Sequence, residues 1–283
     1  NGLCAEYMEE EVKTTLNCID DLKAPGPDEM PAIFFKKFWQ IVGEQVVKEV
    51  LHILRGGNMP EGWNDTLIVL IPKNNNPMKI NDMRPISLCN VVYKQVSKVI
   101  TNRLKIIIPD IISPNQSAFV PGRLITDNVL VAYECVHAIR KRKRRKPMCA
   151  VKLDMMKAYD LVDWHFLEAI MLRLGFSSQF VRLVMKCVTP VRFIVRVNGQ
   201  LLPYFTPSRG LRQGDPSSSF LFLICVEGFT SLLKFYGGAN VDRGIRVSPF
   251  SPWVNHLLFT DDSLIFLKAE RASVLRLNRV LGI

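Results

Sequence analysis

The chain has 283 residues, of which 48% are hydrophobic, and it carries a formal net charge of +11. This composition predicts a globular protein with a sizeable core and excludes a disordered one. The seven cysteines are odd in number, scattered and never spaced as C-x-x-C, which argues against a disulfide framework or a zinc site and for a reducing compartment. No apolar run approaches the ~18 residues of a membrane span, so we expect no membrane partner. Because the chain begins at Asn1 without a signal-like segment, we take it to be a piece of a longer protein that is not secreted.

Three segments near the N-terminus have the apolar spacing of amphipathic helices. They are residues 9–22, Pro31–Leu54 and Val91–Ile108. Pro109 is expected to end the third of them, because proline lacks the backbone N–H that a helix needs. On that third helix, Lys94 and Lys98 fall within one narrow polar stripe.

A pair of cations flanks one loop in the first third of the chain. Thr66–Pro72 is a short apolar run that predicts a buried strand, and Lys73 follows where this strand leaves the core. A polar loop then leads to Arg84. Lys73 and Arg84 could clamp a triphosphate or a backbone phosphate, and the alternative is solvated loop charge.

Seven of the positive charges come from one run, Arg140–Lys146. Such a run must be solvated, so it predicts an exposed loop; the functional alternatives are contact with phosphates and a nuclear import signal. Both functional alternatives point to nucleic acid, because neutralising phosphates releases counterions. We therefore expect an intracellular protein that is nuclear or shuttles to the nucleus.

The third quarter of the chain contains the clearest hairpin. Apolar and basic residues alternate from Val191, Asn198-Gly199 supplies a type I′ turn, and Arg192 and Arg196 share one face. A glycine-rich basic loop follows and runs into an apolar helix that begins near Pro216. Backbone amides at the turn formed by Gln213 and Gly214 could face an anion or a base edge.

Two acidic centres are separated by about a hundred residues of sequence. Cys149–Asp154 predicts a short strand with an aspartate at its end, which is a common functional position and also a common turn former. Asp261 and Asp262 lie between two apolar runs that predict short buried strands joined by a tight turn. Two carboxylates held that close repel strongly, and a divalent cation would relieve the repulsion. The alternative is an ordinary Asp-Asp turn at a hairpin tip.

Taken together, these segments resemble a reverse transcriptase, and most closely the reverse transcriptase domain of plant LINE-type non-LTR retrotransposons. The resemblance runs from about Lys23 to the C-terminus. It rests on the order and spacing of Arg84-Pro-Ile-Ser-Leu88, Asn102-Arg-Leu104, Gln116-Ser-Ala-Phe119 with Gly122-Arg123, Leu153-Asp-Met-Met-Lys-Ala-Tyr-Asp160, Arg209-Gly-Leu-Arg-Gln-Gly-Asp-Pro216 and Phe259-Thr-Asp-Asp262.

The resemblance implies an α+β fold with the fingers and palm of a right-hand polymerase. The palm would contain an antiparallel sheet packed on helices, and the thumb would be absent from this chain. We expect residues 1–147 to form an N-terminal extension and the fingers, and residues 148–283 to form the palm. Residues 190–212 are expected to return to the fingers.

The resemblance also implies RNA-directed DNA synthesis, with an RNA template, a DNA primer and dNTPs as partners. Asp154, Asp261 and Asp262 match the catalytic positions that hold two Mg²⁺ ions, with Mn²⁺ as a substitute. Tyr159 matches the aromatic gate that excludes a ribose 2′-hydroxyl. The other expected nucleotide contacts are Lys73, Arg84, Gln213 and Gly214. The expected nucleic-acid contacts are Lys94, Lys98, Arg192, Arg196, Arg212 and Thr260. No protein partner is implied.

Several residues depart from the pattern of the family. Met156 stands where the family usually has Ser, Leu161 where it usually has Arg, and Thr260 where it commonly has Ala. Ser217 and Ser219 replace a usual Leu and Pro. No metal ligand is lost, but the departures suggest a drifting copy. The alternative to a polymerase is therefore a catalytically inert remnant that only binds nucleic acid.

Overall fold

The computed structural model describes residues 2–142, 147–237 and 243–282. Its helices and strands are, in chain order, α1 (Glu9–Asn17), α2 (Ala32–Lys37), α3 (Trp39–Leu54), β1 (Asp65–Pro72), β2 (Met83–Cys89), α4 (Val91–Ile111), α5 (Ile125–Lys141), β3 (Met148–Asp154), α6 (Trp164–Arg173), α7 (Ser178–Val188), β4 (Arg192–Val197), β5 (Gln200–Leu201), α8 (Ser218–Gly237), β6 (His256–Phe259), β7 (Asp262–Lys268) and α9 (Arg271–Leu281). The expected α+β class is confirmed.

The described residues fall into two units. The first contains Asn1–Ile106 and Tyr159–Phe222, and the second contains Ile107–Ala158 and Leu223–Ile283. This division does not follow the boundary near residue 147 that was expected between fingers and palm. The reason is that α5 packs, through residues that include Ile139, on the same core cluster as the strands of the second unit.

The first unit is built around the sheet β2-β1-β4-β5. Strand β1 pairs antiparallel with β2 and parallel with β4, so the segment expected to return to the fingers joins this sheet. The hairpin of β4 and β5 closes at Asn198 and Gly199, whose φ angles are 48° and 82°. Positive φ at both positions is what the predicted type I′ turn requires.

The second unit is built around the antiparallel sheet β3-β7-β6. Alternate residues of β7 point to opposite faces of this sheet. On one face Phe266 packs with Leu257 and with Cys135 of α5. On the other face Ile265 and Leu267 pack with residues of α8 and α9, namely Phe229, Leu233, Leu277 and Val280. Both faces of the central strand are therefore buried.

The prediction that Pro109 ends α4 was wrong, because the helix continues to Ile111. A proline in the last turn removes only one backbone donor. At this end the guanidinium of Arg123 donates to the carbonyl oxygen of Pro109 at 3.0 Å and to that of Ile112, just past the helix, at 2.7 Å. A side chain from the following loop therefore caps the helix.

One helical window within the described residues, Ser218–Phe235 of α8, is long and apolar enough to cross a membrane by length and composition. The protein buries 61% of this window, as expected of a core helix that is apolar all round.

A buried histidine makes the second unit sensitive to pH. His256 of β6 is 0% exposed, and its Nδ1 lies 2.8 Å from Oδ1 of Asn255. Its Nε2 has no hydrogen-bond partner within the described residues. Burial, with a smaller effect from the charge of Lys234, lowers the pKa of His256 from 6.5 to about 4. The fold therefore holds a neutral imidazole.

We expect acid to destabilise the protein through His256. Between pH 6.5 and about 4, the imidazole of His256 binds a proton in the unfolded state but stays neutral in the folded state. The free energy of unfolding should therefore fall by up to about 1.4 kcal/mol per pH unit as the pH decreases across this window. Urea unfolding at several pH values would measure the slope. His256→Leu should flatten it, and the same change at exposed His165 should not; an equal slope in the His256 variant would contradict the assignment.

Candidate active site

Two of the three predicted aspartates face each other across neighbouring strands. Asp154, the last residue of β3, is the direct antiparallel partner of Asp262, the first residue of β7. Directly opposite residues share a face of the sheet, with Cβ atoms about 4.5–5.5 Å apart. Asp261 precedes Asp262 in the loop, and its carbonyl oxygen accepts a hydrogen bond from the backbone N–H of Met155 at 3.3 Å. The structure thus brings the three aspartates together at one end of the sheet.

The acidic turn contains a strained residue. Phe259 pairs with Asp262, so Thr260 and Asp261 form a two-residue loop. Thr260 has a φ of 54°, a left-handed conformation that β-branched residues rarely adopt. Its backbone N–H donates to Oε1 of Gln116 at 3.2 Å, and this oxygen also accepts from the N–H of Ala118 at 3.0 Å. Gln116 therefore holds the tip of the hairpin in place.

The segment that carries Gln116 is itself fastened to β6. Gln116 forms a parallel bridge with Leu258, whose N–H donates to the carbonyl oxygen of Asn115 at 2.8 Å. The side chain of Asn115 donates to the carbonyl oxygen of His256 at 2.7 Å. Gln116 belongs to a motif of the sequence, but its role could not be predicted from the sequence because its partner Thr260 is 144 residues away.

A lysine that sequence analysis did not single out lies among the carboxylates. Nζ of Lys152 is 2.9 Å from Oδ1 of Asp262. Lys152 precedes Asp154 by two residues and so shares its face of the sheet. Its hydrogen bond to Asp262 raises the pKa of Lys152, and the charges of Asp262, Asp154 and Asp261 raise it further. The charge of this ammonium group therefore interacts with all three carboxylates. The only signal in the sequence is the two-residue spacing to Asp154.

The donors suit a divalent cation, although their side chains are not gathered around one point. No group of three or more His, Cys, Asp or Glu side chains within the described residues is arranged to hold a metal ion as it stands. Carboxylate oxygens are nonetheless the ligands that Mg²⁺ prefers, and Asp154 is exposed at the end of its strand. To bind a metal ion, the carboxylate of Asp262 would have to give up its ion pair with Lys152. The backbone therefore positions the donors, and side-chain rotation would complete the site.

The two predicted clamp cations lie in the first unit on one face of the sheet. Arg84 of β2 is the partner of Ile71, and Lys73 follows Ile71 by two residues, so Lys73 and Arg84 point the same way. The N–H of Lys73 extends the ladder by donating to the carbonyl oxygen of Asp82 at 2.8 Å. Both cationic side chains are exposed. Their contact with a triphosphate stays a prediction.

The other predicted nucleotide contacts also lie in the first unit. The carbonyl oxygen of Gln213 accepts from the N–H of Ser87 at 2.8 Å. Gly214 has a φ of 114°, and a Cβ atom at this position would lie 3.0 Å from the carbonyl oxygen of Ser87. This turn therefore requires glycine. The ring of Tyr159 stacks on Phe222, with 4.8 Å between centroids and 17° between planes, which fixes its orientation.

Burial argues against two of the predicted nucleic-acid contacts. Arg212 is only 6% exposed, its guanidinium stacks 4.0 Å over the ring of Tyr93, and it forms an ion pair of 3.1 Å with Asp215. Lys94 is 4% exposed and donates to the carbonyl oxygen of Ala24 at 3.1 Å. Both cations stabilise the interior of the first unit, so we remove them from the predicted interface.

The remaining predicted nucleic-acid contacts are more accessible. Arg192 makes two hydrogen bonds of 2.8 Å to Asp65, and Arg196 forms an ion pair of 3.2 Å with Glu29. Their side chains are still 40% and 38% exposed. Lys98 is half-buried. These cations, with Thr260 at the acidic turn, stay predicted contacts.

The chain is similar to known proteins over most of its length. Residues 71–281 match the protein-family model described as "Reverse transcriptase (RNA-dependent DNA polymerase)". The "Transposon TX1 uncharacterized 149 kDa protein" of Xenopus laevis is 31% identical over 225 residues, which is 80% of this chain and 17% of that protein. The "Retrovirus-related Pol polyprotein from type-2 retrotransposable element R2DM" of Drosophila melanogaster is 26% identical over 259 residues, or 91% of this chain and 23% of that protein. The chain thus spans about a fifth of the length of these relatives.

A solved structure has a similar fold. It is titled "Structure of apo telomerase from Candida Tropicalis truncated from C-terminal domain" and superposes with a TM-score of 0.53. The superposition covers 92% of this chain and 54% of that chain, at 13% sequence identity. At this identity the likeness concerns the fold alone.

We expect Gln116→Ala to loosen the acidic turn. The change leaves the N–H groups of buried Ala118 and half-buried Thr260 without their acceptor, at a cost of about 1–3 kcal/mol in the free energy of unfolding. Amide hydrogen exchange at Thr260, measured by NMR, should accelerate. Gln45→Ala on the exposed side of α3 is the matched control. Unchanged protection of Thr260 in the Gln116 variant would show that this contact does not hold the turn.

We expect Lys152→Ala to strengthen divalent-cation binding at the aspartates. The ammonium of Lys152 competes for Asp262, so its removal should lower the Kd for Mg²⁺ about two- to fivefold, the range expected for one exposed ion pair. Isothermal titration with Mg²⁺ would measure this change. Exposed Lys157 serves as the control. If Kd rises in the Lys152 variant, the lysine assists binding and the competition argument is wrong.

Proposed function

Because the chain belongs to the reverse transcriptase (RNA-dependent DNA polymerase) family, we propose that it transfers dNTPs to the 3′-hydroxyl of a DNA primer on an RNA template. The observation that carries this proposal is the pairing of Asp154 with Asp262 beside Asp261 at an exposed end of the sheet. The relatives support the resemblance to non-LTR retrotransposons. A specifically plant origin stays a prediction.

The family uses divalent metal ions, and in this chain Asp154, Asp261 and Asp262 would hold two Mg²⁺ ions. When bound, the ions would supply activation of the primer hydroxyl and charge stabilisation of the leaving pyrophosphate. The role of the protein is to keep three acidic donors on one rigid edge. The Gln116 contact and the register of β3 with β7 perform that role.

The first unit would bind the incoming nucleotide. Lys73 and Arg84 would neutralise the triphosphate, since both are exposed and share a face. Tyr159 would exclude a 2′-hydroxyl with a ring that Phe222 holds in place. The turn at Gly214 would present backbone to the nucleotide, and glycine allows this turn to lie against the carbonyl oxygen of Ser87.

The second candidate function is binding of nucleic acid without catalysis. It is favoured by the ion pair of Lys152 with Asp262, which satisfies one of the three carboxylates without a metal. The departures at Met156 and Leu161 point the same way. A chain of this kind would keep the fold and the basic surface and would not incorporate dNTPs.

The basic run Arg140–Lys146 motivates the proposed location inside the cell, in the nucleus or shuttling to it. Residues 143–146 lie outside the described residues. Imaging of a tagged protein whose run is replaced by Gly and Ser would test this location, and unchanged distribution would contradict it.

We expect Asp261→Asn to abolish primer extension. Loss of one carboxylate ligand should reduce dNTP incorporation at least about a hundredfold, since metal ions supply several kcal/mol of transition-state stabilisation. The assay uses the full-length protein in which the chain resides, an RNA template, a DNA primer and a Mg²⁺ titration repeated with Mn²⁺. Exposed Asp110→Asn is the matched control.

Two outcomes would overturn the polymerase proposal. Full activity of the Asp261 variant would show that the acidic turn is not the catalytic centre. Binding of template and primer by the unmodified protein without any incorporation would establish the inert alternative.

A further inference from the structure

The second unit contains a cleft at the other end of its sheet from the aspartates. The cleft has a volume of about 1010 Å³ and lies between α5 and the segment 246–253. Ala138 lines it and also packs in the core cluster that includes Met148, at the start of β3. β3 runs from Met148 to Asp154. Six steps of about 3.3 Å separate the two ends of β3 by about 20 Å, and none of the three aspartates lines the cleft, so the cleft is distinct from the acidic site.

Aromatic rings stand on both walls of the cleft. On α5, Tyr133 stacks on His137 with 8° between ring planes, and Tyr133 is 67% exposed. On the opposite wall Trp253 is 47% exposed, and the guanidinium of Arg246 lies 5.8 Å over its ring. Large rings left in solvent on facing walls are available to planar ligands.

The wall that carries Trp253 is rigidly built. Ile245 and Val254 form an antiparallel bridge with two hydrogen bonds of 2.8 Å, and Ile245 is fully buried in the core. Nε of Arg246 donates to the carbonyl oxygen of Ser251 at 3.0 Å. Arg142 at the end of α5 donates to the carbonyl oxygen of Arg246 at 3.2 Å, which joins the two walls.

The charge of the cleft favours a polyanion. Among the described side chains that line it, Lys141, Arg142 and Arg246 are cationic, and Glu134 is acidic. A groove that combines cations with exposed rings is the arrangement by which proteins bind single-stranded nucleic acid, because bases stack on the rings while cations contact phosphates. An acidic peptide would use the cations and leave the rings unused.

Resting on the proposed function, which supplies an RNA template, we propose that this cleft binds single-stranded RNA, with bases stacked on Trp253 and Tyr133 and phosphates beside Lys141 and Arg246. The site would hold a strand in a part of the second unit that none of the three aspartates lines. It does not depend on catalysis, so a chain without polymerase activity would retain it.

The test of stacking is equilibrium binding of a fluorescein-labelled, mixed-sequence 12-nucleotide RNA, followed by anisotropy at fixed salt. Trp253→Ala should weaken binding about 5- to 100-fold, the range for loss of one stacked base. Trp253→Phe should restore most of the affinity. Phe250→Ala is the matched control, because this ring is in the same segment and 99% exposed but does not line the cleft.

The test of charge is the salt dependence of the same binding. Arg246→Gln should reduce the slope of log K against log salt by about 0.7, as expected for one phosphate contact with a single strand. Trp253→Ala should lower the affinity and leave this slope unchanged. Circular dichroism of each variant verifies that the fold is retained.

Three results would overturn the proposal. They are equal affinity of the Trp253 and Phe250 variants, an unchanged salt slope in Arg246→Gln, and full displacement of the RNA from this cleft by a poly-glutamate peptide. Asp261→Asn should bind the RNA with unchanged affinity. Loss of primer extension in that variant, with binding intact, therefore tests the polymerase proposal separately from this one.

Discussion

The pairing register of β3 with β7 is the constraint on which the acidic site depends. A slip of one residue would turn Asp154 to the opposite face of the sheet from Asp262. The slip is disfavoured because both faces of β7 are buried. Phe266 packs on the side of α5 and Ile265 on the side of α8, and a shift would disrupt the core on both sides. Hydrophobic packing thus fixes the position of groups that are themselves polar and repel one another.

The tip of the hairpin shows how strain is tolerated at this site. A β-branched residue in the left-handed region costs about 1–2 kcal/mol, so Thr260 would not adopt this conformation alone. It persists because Gln116 accepts its N–H and because the chain around Gln116 is held independently. Arg123 contributes by donating to the carbonyl oxygen of Gln116 at 2.8 Å, as well as to the end of α4. The acidic loop therefore rests on contacts that reach well beyond its own strands.

Local patterns in the sequence were sufficient for the strands and turns of the site. The alternating apolar residues before Asp154, the apolar runs beside Asp262 and the turn at Gly199 can each be recognised from neighbouring residues alone. Long-range contacts were not predictable in this way. A helical wheel shows that Lys94 lies on a polar stripe, but it does not show that the carbonyl group of Ala24, 70 residues away, covers it. For the same reason the glycine-rich loop could not reveal that Arg212 points inward.

Lys152 places a positive charge beside the opposed carboxylates. Opposed carboxylates destabilise a structure unless positive charge lies near them, and here the chain supplies that charge from Lys152, two residues before Asp154 on β3. The chain itself therefore offsets part of this repulsion, so retention of the fold by itself does not distinguish an active polymerase from an inert remnant. The distinction lies in a single exchange at Asp262. If a divalent cation replaces the ammonium of Lys152, the three aspartates act as one ligand set; if it does not, the same residues only complete a hairpin.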